Sequence, residues 1–178
     1  MMTETDVKFN FSGKRFVVVG ASSGMGLQVT KEILSSGGTV LAIDRNEEKL
    51  NEMASQLRER IIVKTADVRD PEALEKAISD FAKDGKLNGS VYTAGLSRTT
   101  VLRSFSEEDA TGMMQVNFWG WVNLMKVICK KKYSEDGCSN VVIASAAAHR
   151  GESGNFAYNA SKAAIMNSVQ TFAKELAK

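Results

Sequence analysis

The sequence predicts a doubly wound α/β fold, a parallel sheet with helices on both faces, and three observations support it. Strand-like runs alternate with helical patterns along the chain, the connections between them are short, and the first run is apolar at every position, as a strand buried on both faces must be. With 178 residues, the chain fits one domain, large enough to bury roughly 70% of the surface that its unfolded form would expose. No repeat, low-complexity tract or linker divides it, so residues 1–178 are expected to form a single domain.

The elements follow in order. The run Arg15 to Val19 reads as the first strand, and a glycine-rich turn follows it. Val29, Ile33 and Leu34 then form an apolar stripe on a helix that Gly37-Gly38 would close. Thr39 to Ile43 is the second strand and Glu47 to Leu57 the second helix, with Asn46 placed to cap it. Ile61 to Thr65 is the third strand. The only proline, Pro71, follows Asp70 and would open the helix Glu72 to Phe81 at its first position. Ser90 to Thr93 and Asn140 to Ala144 complete five strands. Crossovers between parallel strands are right-handed, so the helices divide between the two faces.

Composition narrows the partners. Hydrophobic residues at 43%, charged residues at 25% and a formal net charge of +2 give no field that points to nucleic acid. Lys130, Lys131 and Lys132 close a helical pattern, where cations favour the negative helix end, and read as a solvated terminus. Cys129 and Cys138 fit no metal or redox spacing. No stretch approaches the roughly 20 apolar residues of a membrane span, and the start MMTETDVKFNFSGK lacks the order of a signal peptide. A soluble, cytoplasmic protein without a membrane partner is therefore expected.

The unusual residues fall where strands end: Gly20 after the first, Asp44 after the second, Asp67 just past the third, Ala94-Gly95 after the fourth and Ser145 after the fifth. In a parallel sheet these positions share one edge, the edge at which open α/β sheets bind ligands. Gly20, Gly24 and Gly26 make a bare turn, and a helix starting near Gly24 would turn its free N–H groups and positive dipole end toward it, a site for pyrophosphate. Asp44, some twenty residues on, is placed to accept hydrogen bonds from an adenosine ribose and to repel a 2′-phosphate. This favours NAD over NADP, with Arg45 as the residue that opposes it.

The stretch AYNASKAA puts Tyr158 and Lys162 four residues apart on one helix face. An ammonium near a phenol stabilises phenolate, which turns a tyrosine into an acid or base near neutral pH. Ser145 can donate a hydrogen bond to an oxygen on which negative charge develops.

On these residues the chain resembles the short-chain dehydrogenase/reductase family. Gly20-Ala21-Ser22-Ser23-Gly24-Met25-Gly26 matches its glycine motif, Tyr158 to Lys162 its Tyr-x-x-x-Lys, Ser145 its serine thirteen residues earlier, and Asn117 in QVNFWG the asparagine of its long central helix. The resemblance implies a Rossmann-type NAD(P)-dependent oxidoreductase acting on a carbonyl or secondary alcohol of a small-molecule substrate. Tyr158 would exchange the proton with the substrate oxygen, Lys162 would favour its phenolate and hold the nicotinamide ribose, and Ser145 would orient the carbonyl. Asn117 would support a water in a proton relay. Asp67 would meet the adenine amino group, Val68 would form part of the adenine pocket, and Ser22, Ser23 and Met25 would belong to the phosphate turn. Homodimers or homotetramers would pair the central and catalytic helices. A sensor or scaffold that binds nucleotide without catalysis is the alternative.

Two departures stand out. Tyr92-Thr93-Ala94-Gly95 replaces the family's Asn-Asn-Ala-Gly, which loses the asparagines that brace the central strands, and Val19 replaces a threonine whose hydroxyl ties the turn to its neighbours. The ending VQTFAKELAK reads as an unfinished helix, so the C-terminal strands, the Pro-Gly cofactor segment and the substrate loop of the family are expected to be missing. His149 reads as a loop residue over the site. Of Trp119 and Trp121, two apart on a helix, only one can face inward.

Overall fold

The structure, a computed structural model, describes residues 9–57 and 59–177. Five strands, β1 (Arg15–Val19), β2 (Thr39–Asp44), β3 (Ile61–Thr65), β4 (Leu87–Tyr92) and β5 (Ser134–Val142), form one sheet in the order β3-β2-β1-β4-β5. Every pairing is parallel. The chain winds outward from β1 to β3 and returns to β4 on the other side of β1, so the order reverses between β1 and β4. A crevice opens at such a reversal, at the carboxyl ends of the strands.

The period-2 alternation of β1 divides the core. Val17 and Val19 point into a cluster with Leu41, Ile43, Leu74 and Ile78, while Val18 points into one with Ile33, Val40 and Leu50. On the second face lie α1 (Gly24–Ser35) and α2 (Glu47–Leu57). The first is covered by α3 (Pro71–Phe81), α5 (Gly120–Ile128) and α6 (Phe156–Leu176). Val17, Val18 and Val19 are fully buried, as a strand covered on both faces requires.

Local signals explain the boundaries. Asp70 accepts from the backbone N–H groups of Glu72 and Ala73, and Pro71 opens α3. Asn46 Oδ1 accepts from Lys49 N at 2.9 Å and caps α2. Two strands start earlier than their apolar runs. β4 begins at Leu87, in the poor strand sequence Leu-Asn-Gly-Ser, because Leu87 is fully buried and pairs with Ser134. The register then jumps from Leu87↔Ser134 to Gly89↔Ser139, and the surplus residues of β5 form a bulge around Gly137, at φ 80°. β5 ends at Val142 rather than Ala144, although Ile143 N still donates to Tyr92 O.

The central helix is not continuous. It runs as α4 (Glu107–Met114), a π turn over Gln115–Trp119, and then α5. No amphipathic pattern announces a π turn, which is a single inserted residue. Trp121 is 2% exposed and Trp119 47% exposed, so the inward tryptophan is Trp121. Lys130 departs from the solvated terminus: its ammonium pairs with Glu75 of α3 at 2.5 Å. No helix among the described residues is long and apolar enough to cross a membrane.

Candidate active site

The turn between β1 and α1 is tied to the sheet at both ends. Gly20 N and Ala21 N donate to Ile43 O of β2, at 2.8 and 3.2 Å. Ser22 donates to Asp44 Oδ2 through its N–H at 3.1 Å and its hydroxyl at 2.8 Å, while Asp44 Oδ1 accepts from Asn46 N. Ser22 is thus buried against Asp44 and supports the acid from behind instead of lining the cavity. Gly20 has φ 81°, and a Cβ on Gly26 would lie 2.1 Å from Gly20 O. The first turn of α1 sits directly on the glycine turn, at a separation that only glycine permits. Ser23 makes no side-chain cap, and the first turn holds no acidic residue. Its orphan N–H donors are therefore not answered by a capping side chain or by a carboxylate of its own first turn.

This turn forms one end of a cavity of about 350 Å³. Gly20, Ser23, Gly24, Met25 and Gly26 line it together with Asp44 and Arg45, then Asp67 and Val68, and finally Ala94 and Gly95. Sequence reasoning passed over Ala66, Thr93, Leu96 and Val116, which line it too. Arg69, also missed, clasps Asp67: its N–H and Nε reach Oδ1 at 2.9 Å each and its Nη2 reaches Oδ2 at 2.6 Å. The guanidinium holds the Asp67 carboxyl below the usual carboxylate range. Spacing alone offered a signal, since an arginine two residues after an acid in a turn can fold back on it.

Thr93 corrects one expectation from the sequence. Its hydroxyl lies 2.9 Å from Val19 O and 3.1 Å from Gly20 O. A hydroxyl binding β4 to the glycine turn is present after all, supplied from position 93 instead of 19.

The other predicted residues are not among those that line the cavity. Tyr158 and Lys162 occupy successive turns of α6, and Lys162 Nζ is 5.8 Å from the centre of the Tyr158 ring. Lys162 is buried, donates to Ile143 O at 2.7 Å, and burial pushes its ammonium below the ordinary lysine value. A Cβ on Gly95 would lie 3.7 Å from Lys162 Nζ and 3.4 Å from Asn117 Oδ1, which places the cavity wall beside both. Asn117, fully buried in the π turn, spends its amide on three bonds: Oδ1 accepts from Leu96 N, and Nδ2 donates to Leu96 O and to Ser161 Oγ. Its side chain positions the loop after β4, with one acceptor position of Oδ1 still open. Ser145 follows β5, and its Oγ accepts from Ala147 N at 3.1 Å. Among the described residues no hydrogen bond joins Ser145 to Tyr158, and neither lines the cavity. His149 is exposed, one residue past the short turn Ala146–Ala148.

A family model described as short chain dehydrogenase matches residues 14–178. The chain belongs to the short-chain dehydrogenase family. An uncharacterized oxidoreductase of Staphylococcus epidermidis is 30% identical over 165 residues, 91% of this chain and 71% of the relative. The crystal structure of a short-chain dehydrogenase/reductase, glucose/ribitol dehydrogenase, from Brucella melitensis has a TM-score of 0.91 at 28% identity, covering 97% of this chain and 74% of that one. An NAD+-bound xylitol dehydrogenase has a TM-score of 0.86 at 25% identity, covering 94% of this chain and 66% of that one. The five-stranded Rossmann-type sheet of this short-chain dehydrogenase is the fold expected from its sequence.

Proposed function

We propose that this short-chain dehydrogenase interconverts a carbonyl and a secondary alcohol on a small organic substrate, with a nicotinamide dinucleotide as redox partner and NAD favoured over NADP. One observation carries the reading: Gly95 joins a cavity that begins at the glycine turn to the buried Lys162, one helical turn from Tyr158. A dinucleotide fits the residues present. The uncapped start of α1 would take its pyrophosphate, Asp44 its adenosine ribose, and Asp67 and Val68 its adenine, with Arg69 yielding a carboxylate oxygen of Asp67. The nicotinamide would supply or accept the hydride.

The chain's own residues do the rest. Tyr158 gives its hydroxyl proton to the substrate oxygen in reduction and recovers it in oxidation. The Lys162 ammonium, fixed on Ile143 O, stabilises the phenolate left behind. Ser145 accepts from Ala147 N, which leaves its O–H to donate to the same substrate oxygen. Asn117 holds Leu96 and Ser161, and through them the wall beside Lys162. Homo-oligomers would form through the central helix and α6, where the exposed Trp119 and Phe156 line an open hollow. The cytoplasm is the proposed location.

Nucleotide binding without turnover is the second reading, favoured by the position of Ser145 and Tyr158 outside the cavity lining. Tyr158→Phe separates the two. The enzyme reading expects turnover to fall about 10²- to 10⁴-fold while NADH affinity stays within about twofold. Unchanged turnover would refute the assigned proton transfer.

A further inference from the structure

Tyr92 is the last residue of β4, 1% exposed, in the place where an asparagine was expected. Its phenol donates to Val116 O at 2.5 Å. That carbonyl is available for a specific reason. In an α-helix it would accept from Gly120 N, four residues on. In the π turn Gly120 N donates instead to Gln115 O, five residues back, so the donor that an α-helix would give Val116 O is engaged elsewhere. Tyr92 replaces it, and burial pushes the phenol far above its ordinary value, so that it stays a donor. The fit also explains Gly120, where a Cβ would lie 2.2 Å from the Tyr92 hydroxyl oxygen.

The neighbouring residue in the same turn is Asn117, whose amide reads both the N–H and the C=O of Leu96. Two latches therefore run from one short segment, Tyr92 and Leu96, to consecutive residues of the π turn, Val116 and Asn117. Between them lie Ala94 and Gly95, which line the cavity, Gly95 beside Lys162. Reverting the π turn to α-helix removes one residue from the winding and rotates one flank against the other by about 100°, which would carry Asn117 away from Leu96.

We propose that Tyr92 is a positioning residue of this site: its phenol occupies the carbonyl freed by the π turn and so holds the register that presents Asn117 to the cavity wall. Its bearing on cofactor binding rests on the dinucleotide reading above; the latch itself does not. The Trp121 ring packs edge-on against Tyr92 at 6.2 Å, and phenylalanine would keep that contact while losing only the hydroxyl.

The test is hydrogen exchange by NMR on the full chain carrying Tyr92→Phe, read at the Leu96 amide and, as reference, at Val18 and Ala42 in the β1–β2 pair. A buried acceptor stripped of its donor predicts exchange at Leu96 faster by about ten- to a hundredfold, with Val18 and Ala42 unchanged. NADH affinity should weaken several-fold in the same variant. Leu96 exchange within twofold of the unsubstituted protein, or an equal rise at all three amides, would overturn the latch. Should the variant fail to fold, the unsubstituted protein decides: under rising denaturant the Leu96 and Gly120 amides share one opening free energy if the latch is real, and open separately if it is not. Faster Leu96 exchange with no loss of NADH affinity would confine Tyr92 to the fold and overturn its role at the site. If the unsubstituted protein binds neither NADH nor NADPH, the dinucleotide reading falls, while the exchange result still decides the latch.

Discussion

Lys162 has its charge buried and, among the described residues, donates to a neutral group, Ile143 O. Burial disfavours the ammonium, so the folded protein holds that proton less tightly than the unfolded chain does. The sign follows: this lysine costs stability while it is charged, and the cost is relieved as pH rises through the window just below the ordinary lysine value. Activity runs the other way, because the proposed chemistry needs the charge. The alkaline limb of a pH–rate profile is predicted to fall before an ordinary lysine would titrate, and a profile flat through that limb would remove Lys162 from the mechanism. Asp67 behaves oppositely. Its carboxyl is held below the usual range by Arg69, so its contribution to stability is complete above the unfolded carboxylate value and disappears as pH drops through the folded one.

At the scale of elements, the decisive unit is the join of β1, α1 and β4. Gly26 lies against Gly20 O, and the Thr93 hydroxyl rests between Val19 O and Gly20 O. Thr93→Val keeps the shape and removes the hydroxyl donor from Gly20 O, while Val19 O keeps the Thr93 N–H at 2.8 Å. The expected loss is about 1–2 kcal/mol, or a Tm lower by about 2–8 °C for a domain of this size, together with weaker nucleotide binding. Thermal unfolding followed by circular dichroism checks it, and an unchanged Tm would show that backbone bonds alone hold the turn.

The same join marks how far the sequence could be read. Apolar runs and strand-end residues located all five strands and most of the residues lining the cavity, because a parallel sheet buries its strands on both faces and collects its carboxyl ends along one edge. The Thr93 and Tyr92 contacts were not legible. Each depends on a partner far along the chain, and residue type alone marked both only as lost asparagines. The π turn escaped notice because a one-residue insertion leaves the helical pattern on either side intact. Ser22 was assigned to the phosphate turn from its place in the glycine motif, and only the register of β1 with β2 turns it toward Asp44.

For the molecule as a whole, binding at the switch between β1 and β4 links both halves of the sheet, so nucleotide should stabilise the entire domain. At a concentration a hundred times its Kd, a ligand specific for the folded state adds about 2.7 kcal/mol, which for this length raises Tm by about 5–10 °C. A thermal melt with and without NADH measures the shift. No shift at saturating concentration would mean that the cavity takes a different ligand.

The most direct measurement is a titration of the purified protein with NADH and, separately, with NADPH, following energy transfer from its tryptophans to the nicotinamide. Saturable binding of NADH and a weaker response to NADPH are expected, because the Asp44 carboxylate, held by Ser22 and Asn46, would repel a 2′-phosphate. Tighter binding of NADPH would transfer selection to Arg45, and saturation by neither nucleotide would contradict the assignment of the glycine turn as a dinucleotide site.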